Sequence, residues 1–108
     1  MISCRLFWRV TRMASFKLSG EADADIKGIT DYTASAFGSR QAIKYSAALT
    51  TTFELLSRFP RIGLPSYDLR DGLYHFPHKS HVIFYTQAHD HILIVRVLHA
   101  RADFKRFF

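Results

Sequence analysis

The sequence predicts an α+β domain, in which a helical hairpin packs on one face of a mainly antiparallel sheet in the order βααβββ. Residues 19–59 carry apolar side chains at helical spacing, interrupted once by Gly38. After residue 72, three strand-like runs follow one another through short links. Such links join antiparallel neighbours, because a parallel pair needs a crossover of about a dozen residues or more.

The first strand and the first helix are predicted to meet at Ser19. Residues 16–19 alternate apolar and polar side chains, as a short strand does. Ser19 can cap the helix, and Gly38 is suited to end it in a left-handed turn. Acidic side chains suit the first turn because of the helix dipole, and they are Glu21, Asp23 and Asp25. The apolar positions are Ile26, Ile29, Tyr32 or Thr33, Ala36 and Phe37.

The second helix is predicted to begin after a cap at Ser39 and to stop at Pro60. Because Gly38 alone separates the two helices, we expect an antiparallel hairpin. The apolar face of the second helix consists of Ala42, Tyr45, Leu49, Phe53, Leu56 and Phe59.

Residues 60–72 are rich in Pro, Gly and Asp and are predicted to form a loop. The strand-like runs cover residues 73–76, 82–86 and 92–98, which predicts a meander. Pro77 places the first of these strands at a sheet edge or a bulge. The apolar run at residues 92–95 indicates a central strand covered on both faces.

Length and composition exclude several classes of protein. A chain of 108 residues allows one domain, and 48% hydrophobic residues are too many for a disordered chain. The sequence has no apolar run of about 18 residues, so no membrane span is expected. A single cysteine, Cys4, cannot form an intramolecular disulfide, and a reducing cytoplasm is the expected compartment.

The net charge of +6 is concentrated at the two ends of the chain. Residues 1–12 contribute three arginines and no acid, and residues 96–108 contribute four basic residues against Asp103. We expect residues 1–12 to be a disordered extension and residues 13–108 to form the domain. The alternative is a basic amphipathic arm for a membrane surface or a nucleic acid.

Common catalytic motifs are missing from the sequence. It contains no Gly-rich phosphate loop and no nucleophile elbow, and Asp23 and Asp25 are explained by helix-end electrostatics. Six histidines lack the compact spacing of a zinc site, so no metal or cofactor is expected. They are His75, His78, His81, His89, His91 and His99.

A basic and aromatic cluster occupies the end of the chain. Such a cluster could bind a phosphate backbone and stack on bases, or dock on an acidic protein surface. For Arg96, inside an apolar strand, the alternative is an internal carboxylate or carbonyl partner. The cluster consists of Arg96, His99, Arg101, Lys105 and Arg106 with Phe104, Phe107 and Phe108.

Three segments, residues 69–77, 81–85 and 94–103, closely resemble the ParE toxins of bacterial toxin-antitoxin modules. The most specific part is the motif Arg-Val-Leu-His-x-Arg-x-Asp, which begins at Arg96. The resemblance covers residues 15–104 and implies a βααβββ fold shared with the RelE ribonucleases. It also implies inhibition of DNA gyrase through its cleaved-DNA complex, with no reaction catalysed by the toxin and no sequence-specific binding to nucleic acid.

The resemblance further implies a ParD-type antitoxin that wraps the toxin in a hetero-oligomer. A peptide that folds on binding needs an apolar groove, and the outward side of the hairpin offers Tyr32, Phe37, Tyr45 and Phe53, although core packing is the alternative for each. The residues expected to contact gyrase are Arg96, His99, Arg101, Asp103, Lys105 and Arg106. For Asp103, the expected role is to orient a neighbouring arginine, and the alternative is a helix cap.

The alternative function is a ribosome-dependent endoribonuclease of the RelE type. Such an enzyme activates a ribose hydroxyl and stabilises a phosphorane, for which basic side chains must converge. The sequence lacks the lysine pair and C-terminal tyrosine of the best-known members of that family. A binding module without toxicity is a third possibility. The ribonuclease candidates are Arg70, His75, Arg96, His99 and Arg101.

Overall fold

The computed structural model describes residues 15–108. The extension expected over residues 1–12 lies outside the described residues. Two helices pack on a five-stranded mixed sheet, so the predicted α+β architecture is confirmed. The elements are β1 (Phe16–Leu18), α1 (Gly20–Phe37), α2 (Ser39–Arg58), β2 (Leu64–Pro65), β3 (Leu73–His78), β4 (His81–Gln87), β5 (Ile92–His99) and a 3-10 helix (Phe104–Phe107).

The helical hairpin is defined by Ser19 and Gly38. The Ser19 hydroxyl accepts a hydrogen bond from the Ala22 N–H at 3.0 Å, which confirms the predicted cap. Gly38 ends α1 with φ 96° and ψ 162°, a conformation essentially restricted to glycine but outside the predicted left-handed helical region. The predicted cap at Ser39 is wrong, because Gly38 occupies the cap position and Ser39 is already helical.

The strand order is β1-β5-β4-β3-β2, with β1 parallel to β5 and the other neighbours antiparallel. The predicted meander is therefore confirmed. β2 was not predicted, and it pairs only with Tyr74 and His75 of β3. Pro77 lies past that pairing on the outer edge, where its missing N–H costs no ladder bond. β3 and β4 are longer than predicted because their turn is tight, with Lys79 at φ 54°.

Core clusters cover both faces of the sheet, and the first part of β5 lies between β1 and β4, as predicted for a central strand. Under the helices, Ile83, Tyr85, Ile94 and Val97 pack with α2 residues; we call this the helix face. On the opposite side, which we call the tail face, the buried residues are Leu73, Val82, Phe84, Val95 and Leu98.

A β-bulge in β5 inverts the alternation of its side chains. Phe84 pairs with Arg96, but the next residue, Tyr85, pairs with Ile94, so Val95 is the extra residue. Because of the bulge, Ile94 and Val97 both reach the helix face although three positions separate them.

The loop between α2 and β3 is fixed by Tyr85. Its hydroxyl donates to the Pro60 carbonyl at 2.8 Å and accepts from the Gly63 N–H at 3.0 Å. A Cβ atom at position 63 would collide with the Tyr85 ring, so this close approach requires glycine.

Candidate functional site

An open groove of about 1100 Å³ runs between α1 and the C-terminal half of β5. Ile29 and Tyr32 form one wall, Val97 and Leu98 lie on the strand side, and Phe107 of the 3-10 helix also lines it. The groove is thus built by the helical hairpin, the central strand and the end of the chain. Among the elements within residues 15–108, no helix is long and apolar enough to cross a membrane.

The aromatic wall of the groove comes from the end of α1. Tyr32 and Phe37 are 68% and 69% exposed, so this part of the predicted apolar face does not cover the core. Tyr45 of α2 also lines the groove and is half-buried. Phe53, expected with these three on the outward surface, is 2% exposed and contacts Phe16 at a ring separation of 5.4 Å. The alternative for Phe53, core packing, therefore describes its position, because its helical spacing matches the buried side of α2.

Arg96 clamps β5 to α1. Its Nε and Nη2 donate to the two carboxylate oxygens of Asp25, each at 2.8 Å, and Nη1 donates to Glu21 at 3.4 Å. The carboxylate of Asp25 raises the pKa of Arg96. The assignment of Asp25 to helix-end electrostatics was wrong, because its carboxylate is the bidentate partner of this arginine. For Arg96, the alternative given above was an internal carboxylate partner, and the carboxylate of Asp25 is that partner.

Groups near the start of α1 also cap the open edge of β5. β1 pairs with β5 only as far as Ile94, which leaves later residues without a strand neighbour on that side. The Ser19 hydroxyl donates to the Val95 carbonyl at 2.7 Å, and Asp25 accepts from the Val97 N–H at 3.0 Å. Asp25 thus joins helix, strand edge and arginine, and it positions the strand side of the groove.

The phenylalanines of the tail are part of the fold. The rings of Phe104 and Phe108 each lie 5.0 Å from that of Phe84, and they complete the tail face. The guanidinium of Arg96 lies 4.9 Å from the centre of the Phe107 ring. Their packing role was not expected from the sequence, although the spacing of Phe104 and Phe108 was a signal for it.

The remaining charged residues of the predicted target site lie on the surface. Arg101, Lys105 and Arg106 are exposed. Within residues 15–108, the carboxylate of Asp103 forms no salt bridge and no capping hydrogen bond, although the residue occupies the cap position of the 3-10 helix. Asp103 therefore does not orient an arginine here, and the alternative, a helix cap, describes its position without a side-chain bond.

Histidines gather at the end of the groove next to the β3–β4 turn. Nδ1 of His81 lies 2.7 Å from the Tyr45 hydroxyl, and the rings of His81 and His99 are 5.6 Å apart. Nδ1 of His99 accepts a hydrogen bond from the Arg101 N–H at 3.1 Å. Burial lowers the pKa of His78 and His81.

The five ribonuclease candidates are divided between two places, because Arg96 and His99 line the groove and Arg70 and His75 do not. Arg70 lies over the Phe108 ring and His75 contacts Phe84, which places both on the tail face. Arg96 is directed to α1, where Asp25 occupies its donors. The part of the chain described by the structure contains no group of three or more His, Cys, Asp or Glu residues that could hold a metal ion.

Comparison with known proteins agrees with the fold. Residues 16–104 match the family model of the ParE toxin of the type II toxin-antitoxin system parDE. Toxin ParE1 of Caulobacter vibrioides is 36% identical over 87 residues, which cover 81% of this chain and 90% of the relative. Toxin ParE1 of Mycobacterium tuberculosis is 33% identical over 92 residues, which cover 84% of this chain and 94% of the relative.

A solved structure, the chromosomal ParDE toxin-antitoxin system from P. aeruginosa, has the same fold, with a TM-score of 0.70. The structural alignment covers 82% of this chain and 97% of the compared chain, and the two sequences are 19% identical. At that identity the likeness concerns the fold alone.

Proposed function

The chain belongs to the ParE toxin family of type II toxin-antitoxin systems, and we propose that it inhibits DNA gyrase by binding, without catalysing a reaction. Family membership is the observation that carries the proposal. The separation of the ribonuclease candidates supports binding over catalysis, because phosphoryl transfer requires basic groups that converge on one phosphate.

For the surface that contacts gyrase, we propose the exposed basic residues that follow β5. Arg101, Lys105 and Arg106 lie on a segment held to the sheet by Phe104 and Phe108. A fixed cationic segment can dock on an acidic protein surface or a protein-DNA complex with little further loss of conformational entropy. Arg96 acts indirectly in this proposal, by holding β5 and by its contact with Phe107.

The test is a cleavage assay with purified toxin, gyrase, supercoiled plasmid and ATP, run beside a ribosome-programmed mRNA cleavage assay. Accumulation of cleaved DNA without mRNA cleavage is the expected result. Cleavage of mRNA without accumulated DNA breaks would instead establish the ribonuclease.

The contribution of the tail is best tested by removing charge alone. A truncation after Asp103 would also remove core rings, so Arg101→Ala and the double variant Lys105→Ala/Arg106→Ala are the sharper changes. We expect both to weaken gyrase inhibition. The control is Arg61→Ala, an exposed arginine in the loop that Tyr85 anchors next to the opposite end of β5. Full inhibition by both tail variants would exclude this surface.

For the antitoxin, we propose that a segment of a ParD-type partner occupies the groove. The apolar wall of Tyr32 and Phe37 is exposed in the isolated chain, and burying it would offset the ordering cost of a flexible segment. The double variant Tyr32→Ser/Phe37→Ser should weaken binding of the antitoxin in calorimetric titration. Ile43→Ser is the matched control, since Ile43 is 70% exposed and does not line the groove. Equal losses in the variant and the control would place the antitoxin elsewhere.

A further inference from the structure

The histidine end of the groove contains several groups that can carry positive charge. His81 and His99 line the groove, and Lys79 lies over the Tyr45 ring at 5.7 Å. Arg101 follows His99 closely and donates its backbone N–H to that ring. In the structured range, residues 15–108, none of these side chains takes part in a salt bridge.

Both groove histidines can present an N–H donor. A backbone N–H can only donate, so Nδ1 of His99 is an acceptor and its proton is on Nε2 in the neutral ring. His81 has the same tautomer when the Tyr45 hydroxyl donates to its Nδ1. An acceptor in the groove would therefore meet Nε2–H groups on two rings that lie 5.6 Å apart.

Several groups face His81, in a site that disfavours its charged form in the isolated chain. They are Tyr45 on α2, His78 on β3, Ser80 in the turn and His99 on β5. Burial is the main reason that the pKa of His81 is lowered, and the two other histidines lower it further. A carboxylate at this point would reverse that balance, because an opposite charge favours the protonated ring.

His78 shows what a purely structural histidine looks like in the same cluster. The Thr52 hydroxyl donates to the Ala48 carbonyl, so it accepts from Nδ1–H of His78 at 3.0 Å. The Nε2 atom of His78 is then a buried acceptor without a partner, and the ring does not line the groove. Of the three clustered histidines, His81 and His99 line the groove and can meet a ligand there.

We propose that the end of the groove formed by His81 and His99 is a carboxylate-binding subsite, where an Asp or Glu side chain of the antitoxin segment binds with uptake of a proton. The proposal rests on the proposed function, since the antitoxin must occupy the groove. Charge complementarity supports a carboxylate as the occupant, because the subsite offers two N–H donors beside Lys79 and Arg101. Among the described side chains, no carboxylate forms a salt bridge with these groups.

The experiment is calorimetric titration of the full chain with its ParD-type antitoxin, at about pH 7, in two buffers of different ionisation enthalpy. The difference between the two heats gives the number of protons taken up. We expect net uptake with the unaltered chain and a marked loss of uptake in His81→Gln/His99→Gln. His89→Gln, which removes an exposed histidine in the β4–β5 turn, should leave the uptake unchanged.

A second measurement follows the affinity from about pH 8 to about pH 6. It should tighten by up to about tenfold in the unaltered chain, since one unit of pKa change corresponds to a factor of ten, and the double variant should show a smaller change. NMR titration of the histidine Cε1–H signals in the unaltered chain should show a higher pKa for His81 in the complex than in the free chain. This measurement remains decisive if the double variant does not fold.

Two results would overturn the subsite and leave the groove proposal intact. One is tight antitoxin binding without proton uptake, and the other is proton uptake that is unchanged in the double variant. No antitoxin binding at any pH would overturn the groove proposal and the subsite with it. A third measurement adds inorganic phosphate, at constant ionic strength, to the unaltered chain and to the double variant. If both lose the same amount of antitoxin binding, anions do not compete at these histidines, and the subsite is contradicted.

Discussion

The two faces of the sheet are completed in different ways. On the tail face, the last residues of the chain supply the missing apolar surface, because Phe104 and Phe108 cover Phe84. On the helix face, the hairpin covers the core at one end but diverges from β5 at the other, where the groove and its exposed Tyr32 lie. The chain closes one face by itself and leaves part of the other face open.

The type of contact differs as well. The tail face is closed by aromatic packing, whereas the boundary of the groove is fixed by a charged clamp between Arg96 and Asp25. Apolar packing tolerates small shifts, but a bidentate ion pair sets one geometry. The boundary of the groove is therefore fixed by directed bonds, and the tail face is closed by packing alone.

The largest expected effect comes from breaking the clamp. Asp25→Ala leaves the guanidinium of Arg96 without its main partner and the Val97 N–H without an acceptor, and should lower the free energy of unfolding by about 3 kcal/mol or more. Asp23→Ala removes an exposed pair with Lys27 and should cost less than about 1 kcal/mol. Urea unfolding measures both, and equal costs would show that the clamp is unimportant.

The next effect concerns the tail face. Deletion of residues 104–108 uncovers Phe84 and should lower the free energy of unfolding by about 2 to 3 kcal/mol. The loss is smaller than that for removal of fully buried rings, because Phe104 and Phe108 are half-buried. The charge-only variant Lys105→Ala/Arg106→Ala should stay within about 0.5 kcal/mol of the unaltered chain. Thermal or urea unfolding distinguishes them. A deletion without cost would mean that the tail does not complete this face.

A smaller effect, on the helix face alone, depends on pH. His78 and His81 have lowered pKa values in the folded chain, so the unfolded chain takes up protons first as the pH falls. The stability due to the neutral rings is present above the unfolded pKa of 6.5 and is lost as the pH falls through the folded values. Melting temperatures should therefore fall less steeply with pH in His78→Gln/His81→Gln than in the unaltered chain or in His89→Gln. Parallel pH profiles would contradict this.

The smallest effect is expected in the groove wall. Tyr32→Ser should change the free energy of unfolding by no more than about 0.5 kcal/mol, because the side chain is 68% exposed. A clear destabilisation in urea unfolding would show that the wall belongs to the core and is not reserved for a partner.

Local features were predictable from the sequence because they depend on neighbouring residues. The cap at Ser19, the end of α1 at Gly38 and the buried stripe of α2 follow from short-range spacing. The pairing of Asp25 with Arg96 joins residues 71 positions apart and has no local signal. The bulge at Val95 is equally invisible, because it arises from strand pairing.

The candidate site shows the same limit. Tyr32, Phe37 and Tyr45 line the groove, whereas Phe53 is buried with the apolar stripe of α2, and the groove itself arises from the packing of α1 beside β5, which no local pattern encodes. The strand β2 was missed because it consists of two residues in a loop rich in Pro and Gly, and it forms only where β3 offers a free edge.

The parallel pairing of β1 with β5 has a consequence for the synthesis of the protein. The Ser19 hydroxyl reaches the Val95 carbonyl across 76 positions of sequence, and the strand β1 is paired to β5 alone. Contacts this distant form late and slow folding, because a long loop must close first. We therefore expect a nascent chain to stay unfolded until β5 has left the ribosome, so that interrupted translation yields fragments for proteolysis and no active toxin.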